Sequence, residues 1–401
     1  MKFYHRLRTK LISVLILVAL IPAMVTGIYA MHVSIETLRN QTLNTQIEHA
    51  KTLKSTVESF LSVAREDLLF LSESVPLKEY LNMKSALADP DDASALSQVA
   101  NQVRLMVEQE FLSFSRNRRI YYQIRYLDET GQERVRIDSD GLRSKAIPQD
   151  RLQNKADRYY FKDTMSLSSQ RVFVSPLDLN RERGQIEVPH KPVIRYAVKV
   201  YDGNRRKAGI VILNVDANKF LKQLDDIRLV TQEGFFATHP EAEKRWGSQR
   251  DLNTGYDIKT EYGELGDQFL AQDGTYSDDK VTIAHQRITV PGSPRQWTLI
   301  LQRSTKNILK NVTLFQITFA VILLLTVLTA LVFALLFSTK ITRPIEYLTH
   351  LADSISKGNL IDNRIEIDDK SEIGQLAKAF ERMRVSMLKS FERIRRQSSK
   401  G

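Results

Sequence analysis

Two long uncharged stretches limit what this chain can fold into. Residues 11–30 carry no charged side chain, and neither do residues 311–339. A bilayer core about 30 Å thick takes about 20 helical residues, so each stretch is long enough to span it. The first also has the basic start and early position of a secretory signal. Its apolar run exceeds the roughly 7–15 residues of such a signal, and Ile28 stands where cleavage after Ala30 wants a small residue. It reads as an uncleaved anchor, with Pro22 tolerated where neighbouring groups re-satisfy the freed carbonyl.

The charges give an orientation. Residues 1–10 hold four Lys/Arg and no acid, and residues 340–401 hold 13 Lys/Arg against 9 Asp/Glu. The long middle is close to balanced, so most of the net charge of +11 sits in the two short ends, as cytoplasmic ends require. The basic excess is therefore topology, not a nucleic-acid footprint, and no nucleic-acid partner is expected. A charged fraction of 26% beside 42% hydrophobic residues excludes a disordered chain. The absence of cysteine excludes disulfides, zinc-thiolate sites and thiol nucleophiles.

Between the spans, apolar residues recur at helical spacing from Met31 to about Val75: Leu38, Ile47, Val57, Leu61, Ala64, Leu68 and Leu71. This long helix suits a dimer stalk. A second helix is expected from about Asp92 to Phe114, and then the period switches to two. Tyr121–Leu127 and Glu133–Asp138 read as a hairpin, followed by strands at 171–175, 193–201 and 208–215 and a helix at 217–225. A smaller unit begins near Arg228 with a hairpin at Gln232-Glu233-Gly234 and ends in the strand Gln296–Gln302.

A long helix, a first α/β unit and a smaller second one between two spans resembles the double Cache sensors of bacterial chemoreceptors, histidine kinases and diguanylate cyclases. The likeness is carried by Asp157-Arg158-Tyr159-Tyr160-Phe161, by the run Ser175-Pro176-Leu177-Asp178-Leu179-Asn180-Arg181-Glu182, by Pro192-Val193-Ile194-Arg195-Tyr196 and by Gly209 to Asp216. It covers about residues 33–305 and implies a PAS-like α+β fold with a ligand pocket in the membrane-distal unit.

Within that frame the candidate ligand-binding residues are Arg125, Arg136, Arg158, Tyr159, Tyr160, Arg195, Tyr196 and Asp216. Guanidinium groups fork onto carboxylates and aromatic rings wall a pocket, so a small organic anion or an amino-acid-like ligand is expected. Asp216 would be the ammonium partner in amino-acid-binding members. No tryptophan follows Arg158, where those receptors have one, which points away from an amino acid. The alternative for any one arginine is a structural pairing with Asp178, Glu182 or Glu187.

After the second span, Ile345, Leu348, Ala352 and Ile355 form one apolar stripe behind Pro344, and Gly358-Asn359 stops it. Leu360, Ile365 and Ile367 punctuate a connector before a second stripe of Ile373, Leu376, Phe380, Met383 and Met387. Two short heptad helices joined in parallel behind a span resemble a HAMP domain, a dimeric four-helix bundle. Pro344, Glu372 and Gly374 match that family's marks, while Ser371 replaces its usual aspartate and keeps a capping oxygen.

The expected organisation is a cytoplasmic end at 1–10, spans at 11–31 and 311–339, and a sensor at 32–310 with units at about 76–226 and 227–303. HAMP follows at 340–390 and a basic tail at 391–401. Seven histidines show no HExxH spacing, no Walker loop is present, and the residues after Met387 are too few for a kinase nucleotide site. Neither cofactor nor metal is called for. The reading is a non-enzymatic, multi-pass sensor of a bacterial inner membrane with a large periplasmic domain. It would work as a homodimer in the lipid bilayer with a cytoplasmic kinase, cyclase, phosphatase or chemotaxis partner. The alternatives are the sensor half of a kinase or cyclase whose catalytic module is missing, and a structural adaptor that binds nothing.

Overall fold

The structure is a computed structural model that describes residues 7–86, 93–168, 171–182, 184–308, 310–357 and 371–398. It divides into two compact units, residues 39–308 and residues 1–38 with 309–401. Helix α1, Leu7–Ser72, passes from the second of these into the first.

In the 39–308 unit, α1 buries Ala50, Val57, Leu61, Ala64, Leu68 and Leu71, the three- and four-residue spacing expected of one helix face. It stops at Ser72, and a helix that periodicity did not signal follows: α2, Val75–Ala86, with Pro76 in its first turn, where a missing N–H costs nothing. Helix α3 is Ala93–Arg118.

Strands β1 (Tyr121–Asp128) and β2 (Glu133–Ser139) form the expected hairpin. Asp128 closes it, since its Oδ1 accepts the N–H groups of Thr130 and Gln132 at 2.9 and 3.1 Å. Then come β3 (Ser144–Ala146), helix α4 (Tyr159–Ser166), β4 (Val172–Val174), β5 (Asp178–Leu179), β6 (Arg181–Glu182) and β7 (Gln185–Ile186). Strands β8 (Pro192–Tyr201) and β9 (Lys207–Asp216) are followed by the short helix α5 (Asn218–Leu221). The sheet order is β3-β2-β1-β9-β8-β4, with β5 also on β8 and every described pairing antiparallel.

Period-two alternation gives this sheet two different faces. Ile124, Tyr126, Val135, Ile137, Tyr196, Val198, Val211, Leu213 and Val215 join the core with α1, α2 and α3. On the opposite face Leu127, Ala197, Ile210 and Ile212 pack under Tyr160 and Phe161 of α4.

A second sheet orders as β11-β10-β14-β13-β12, from β10 (Arg228–Val230), β11 (Phe236–Thr238), β12 (Gly274–Ser277), β13 (Val281–Thr289) and β14 (Gln296–Ser304). Helices α6 (Ile258–Tyr262) and α7 (Leu265–Ala271) cover it, and Phe236, Ile258, Phe269 and Ile300 meet between them. Helix α8 is Thr305–Ile308.

His239 is fully buried here. Its Nδ1 accepts the Glu241 N–H at 2.9 Å, and its Nε2 lies 2.9 Å from a Glu261 oxygen. Burial lowers the pKa of His239, and it does the same at buried His285. A depressed imidazole means that the unfolded chain takes up the proton first as pH falls below about 6.5. Stability should therefore be full at pH 7.5 and decline toward pH 5.5, by at most about 1.4 kcal/mol per pH unit for each histidine. Thermal melts of the full chain should show this slope, and His239→Gln should flatten it. An unchanged slope in that variant would clear His239 of the effect.

In the second unit, α9 (Lys310–Phe337) carries the second apolar stretch, with Leu314 and Leu324 among many exposed apolar side chains. It packs closely against α1. A Cβ on Gly27 would fall 1.8 Å from the Phe319 ring, so a larger residue at that crossing would have to displace the ring. Residues Ser338–Thr342 form a π-helical turn that leads into α10, Arg343–Ser356. Helix α11 is Glu372–Ser398. Pro344 lies in the first turn of α10, and the Ser371 hydroxyl accepts the Ile373 N–H at 3.2 Å, the capping expected of it.

Leu348, Leu351 and Ile355 of α10 meet Ala377 and Phe380 of α11. This corrects the expected stripe in two places. Leu351 rather than Ala352 is buried, and Leu376, Met383 and Met387 point away from α10, 45%, 39% and 39% exposed. Glu372 is exposed and Gly374 buried. The expected stop at Gly358-Asn359 and the connector residues Leu360, Ile365 and Ile367 lie outside the described residues.

Candidate ligand-binding site

The site forms on the α4 face of the first sheet, where two cross-strand rows turn polar. One row aligns Asp138, Gln123, Asn214 and Arg195, and the next aligns Arg136, Arg125, Ile212 and Ala197. Above them lie the N-terminus of α4 and the segment 175–182. Together they enclose a cavity of about 90 Å³ lined by Gln123, Arg125, Lys155, Arg158, Tyr159, Tyr160, Asp178, Leu179, Asn180, Arg181, Glu182, Arg195 and Asn214.

The Tyr160 ring stands between two guanidinium groups, with Arg125 Cζ 5.5 Å and Arg195 Cζ 5.9 Å from its centroid. Arg125 reaches Glu133 Oε1 and the Tyr160 hydroxyl at 3.3 Å and Asn214 Oδ1 at 3.0 Å. Its buried Nε has no hydrogen-bond partner among the described residues. Arg195 donates to Asp178 Oδ1 at 2.9 Å and to Asn180 Oδ1 at 3.1 Å. Burial raises the Asp178 carboxyl above its ordinary value despite Arg195 beside it.

Three lining cations have no carboxylate at ion-pair distance among the described residues, and one of them, Arg181, bonds the Gly184 and Arg250 carbonyls instead. Lys155 is 8% exposed and bonded to Gln153 Oε1, with no carboxylate at ion-pair distance among the described residues. Burial accordingly lowers its ammonium pKa. Arg158, half-buried at the mouth, makes no side-chain hydrogen bond or ion pair among the described residues. Five cationic side chains thus line the cavity against two acidic ones, Asp178 and Glu182.

Of the candidates from sequence, the fold brings Arg125, Arg158, Tyr159, Tyr160 and Arg195 together. Arg136 stands at the edge, bonded to Asp138 at 2.8 and 2.9 Å and 3.7 Å from Glu182. Two placements need correction. Tyr196 follows Arg195 on β8 and so points to the other face, where it is fully buried in the helix-covered core. Asp216 shares the strand face of Asn214 but lies at its end, with Oδ1 accepting the Asn218 N–H at 3.0 Å and contact to the Tyr122 hydroxyl.

The alternative of structural pairing is realised for Arg195 with Asp178 and for Arg136 with Glu182, whereas Glu187 bonds Asn180 and Lys191 instead. Sequence reasoning missed Gln123, Lys155, Asn180, Arg181 and Asn214 as lining residues. The alternation Gln123-Arg125 was a usable signal for the first. Nothing local marks Lys155, which stands in an irregular segment before α4.

Residues 82–300 match the family described as bacterial histidine kinase, sensor domain, and residues 336–389 match the HAMP domain. Among curated proteins nothing matches. One similar solved structure is a domain of a sensory box/GGDEF family protein from Vibrio parahaemolyticus, at 23% identity and a TM-score of 0.55 over 69% of this chain and 99% of that one. Another is the extracellular domain of the histidine kinase vpHK1S-Z8, also at 23% and 0.55, over 70% and 95%. At this identity the two structures establish the Cache-type fold alone. With the family match spanning more than half its length, the chain belongs to the bacterial histidine kinase sensor-domain family, and it carries a HAMP domain behind its second apolar helix.

Proposed function

We propose that the chain is an inner-membrane sensor whose periplasmic domain binds a small organic anion between α4 and the first sheet. HAMP then relays occupancy to a separate cytoplasmic kinase, cyclase, phosphatase or chemotaxis partner. The observation that carries the ligand class is the surplus of cations at the cavity, where, among the described residues, Lys155 and Arg158 have no counter-ion and Arg125 Nε no acceptor. A bound carboxylate would supply both charge and acceptors. An amino acid fits less well, because the lining carboxylate nearest the strands, Asp178, is already engaged by Arg195.

Both apolar helices leave apolar side chains exposed along their length, as lipid contact would require, and the basic ends favour a cytoplasmic location for both termini. The free stripe of Leu376, Met383 and Met387 on α11 supports a homodimer closed through HAMP. Neither matched module is catalytic, and the proposal includes no chemistry by this chain. A reporter active only outside the cytoplasm should work when fused after residue 200 and fail after residue 398. Activity of both fusions would sink the two-span topology.

Ligand binding is tested on the full chain in detergent with acetate, succinate and citrate. At least one should raise the melting temperature of wild type, as binding to the native state requires. Arg158→Ala should remove that gain while changing stability by no more than about 0.5 kcal/mol. If the variant melts well below wild type without ligand, Arg158 is a structural residue and the assignment fails.

A further inference from the structure

A larger cavity, about 370 Å³, lies where segment 175–182 meets the loop 246–251 that follows β11. Its chemistry is opposite to that of the anion cavity. Three aromatic rings, Phe235, Phe236 and Trp246, form its apolar wall, and three carboxylates, Asp178, Asp251 and Glu233, outnumber the one lining cation, Arg250. Asp178 is already paired with Arg195 at 2.9 Å, and Glu233 with Arg250 at 3.5 Å and Arg295 at 3.3 Å. Asp251 is not. It is 8% exposed, it accepts from the Leu179 N–H at 2.8 Å and the Ser248 hydroxyl at 2.6 Å, and no cation among the described residues lies at ion-pair distance. Buried carboxylates normally come with a counter-charge.

We propose that this cavity is a second ligand site and takes a small organic amine, with the ammonium on Asp251 and its apolar body against the three rings. The volume is in the ordinary range of small-molecule sites, a few convergent polar groups in an apolar wall. Aromatic faces attract ammonium groups, and the amine would give Asp251 the counter-charge that no described residue supplies at ion-pair distance. Burial and, less strongly, the neighbouring Asp178 raise the Asp251 carboxyl, and the more distant Arg250 offsets them only in part. The proposal stands apart from the anion reading, since Asp251 lines this cavity only and Asp178, the one charged side chain common to both, is held by Arg195.

The test is calorimetric titration of the full chain in phosphatidylcholine nanodiscs, with empty discs subtracted. The probes are phenethylamine, its uncharged isostere 2-phenylethanol, and tetramethylammonium. Phenethylamine should bind at least about tenfold more tightly than the alcohol. Asp251→Asn, which keeps the acceptor for Leu179, should weaken it by about tenfold or more. Gln249→Arg, a substitution at an exposed lining residue, should do the same by bringing a fixed cation to the mouth. Arg158→Ala should leave amine binding within about twofold, so amine binding without any anion response would sink the anion reading and keep this one. Equal affinity for the alcohol, full affinity in both variants, or no binding of either cation by wild type would overturn the second site.

Discussion

Replacing Arg125 with methionine should cost the sensor unit about 3–5 kcal/mol and remove anion binding together. The reason is the partner left behind. Glu133 has a fully buried side chain, its Oε1 lies 3.3 Å from Arg125, and its other oxygen holds the Gln153 N–H at 3.1 Å. Arg136, at 3.8 Å, is the only other described cation at ion-pair distance, and it is already committed to Asp138. Without Arg125 the carboxylate stays buried and poorly compensated. Exchanging both partners, Arg125→Met with Glu133→Leu, should recover most of the loss, because an apolar pair of similar shape leaves no orphan charge. Urea unfolding of wild type, both single variants and the double variant measures this coupling directly. A double variant no better than the worse single one would show that the pair is not the unit of stabilisation.

Gly209→Ala is expected to be more disruptive, at about 4 kcal/mol or more. Gly209 pairs with Asp128 across β9 and β1 at φ +131°, a backbone conformation that side-chain-bearing residues rarely adopt. A Cβ there would lie 2.0 Å from the Leu127 carbonyl oxygen and 2.7 Å from Asp128 Cα. Both obstacles are backbone, so relief requires the two central strands to separate. Circular dichroism and limited proteolysis should find the 39–308 unit unfolded or cleaved, with the membrane helices retained. A folded, resistant variant would mean that the strands tolerate a wider spacing here.

Much of this was legible because it follows from periodicity. The stripe from Val57 to Leu71, the hairpin closed at Asp128 and the strands β8 and β9 all stand where spacing placed them. Helix α2 was not, since its exposed and buried residues make too weak a stripe and Pro76 reads as a break. The pocket residues were half legible. A strand tells which residues share a face, and by that rule Arg195 and Tyr196 can never both line one cavity. It does not tell where along the strand the cover lies, and so Asp216, on the correct face, falls beyond the reach of α4 while Asn214 does not. Segment 175–182 had a recognisable sequence but no period. Its double attachment, to Arg195 through Asp178 and to the lower loop through Leu179 and Asp251, exists only in three dimensions.

The π-helical turn at Ser338–Thr342 fixes a rotational phase. A π-turn accommodates one residue more than the α-helix it interrupts, and one residue is about 100° of azimuth. The stripe of Leu348, Leu351 and Ile355 is therefore clocked relative to α9 by that single extra residue. Tightening the turn to α-geometry would swing the stripe by up to about 100° with little movement along the axis. Such a change would alter which side chains of α10 face α11, and it needs no flexible joint to do so.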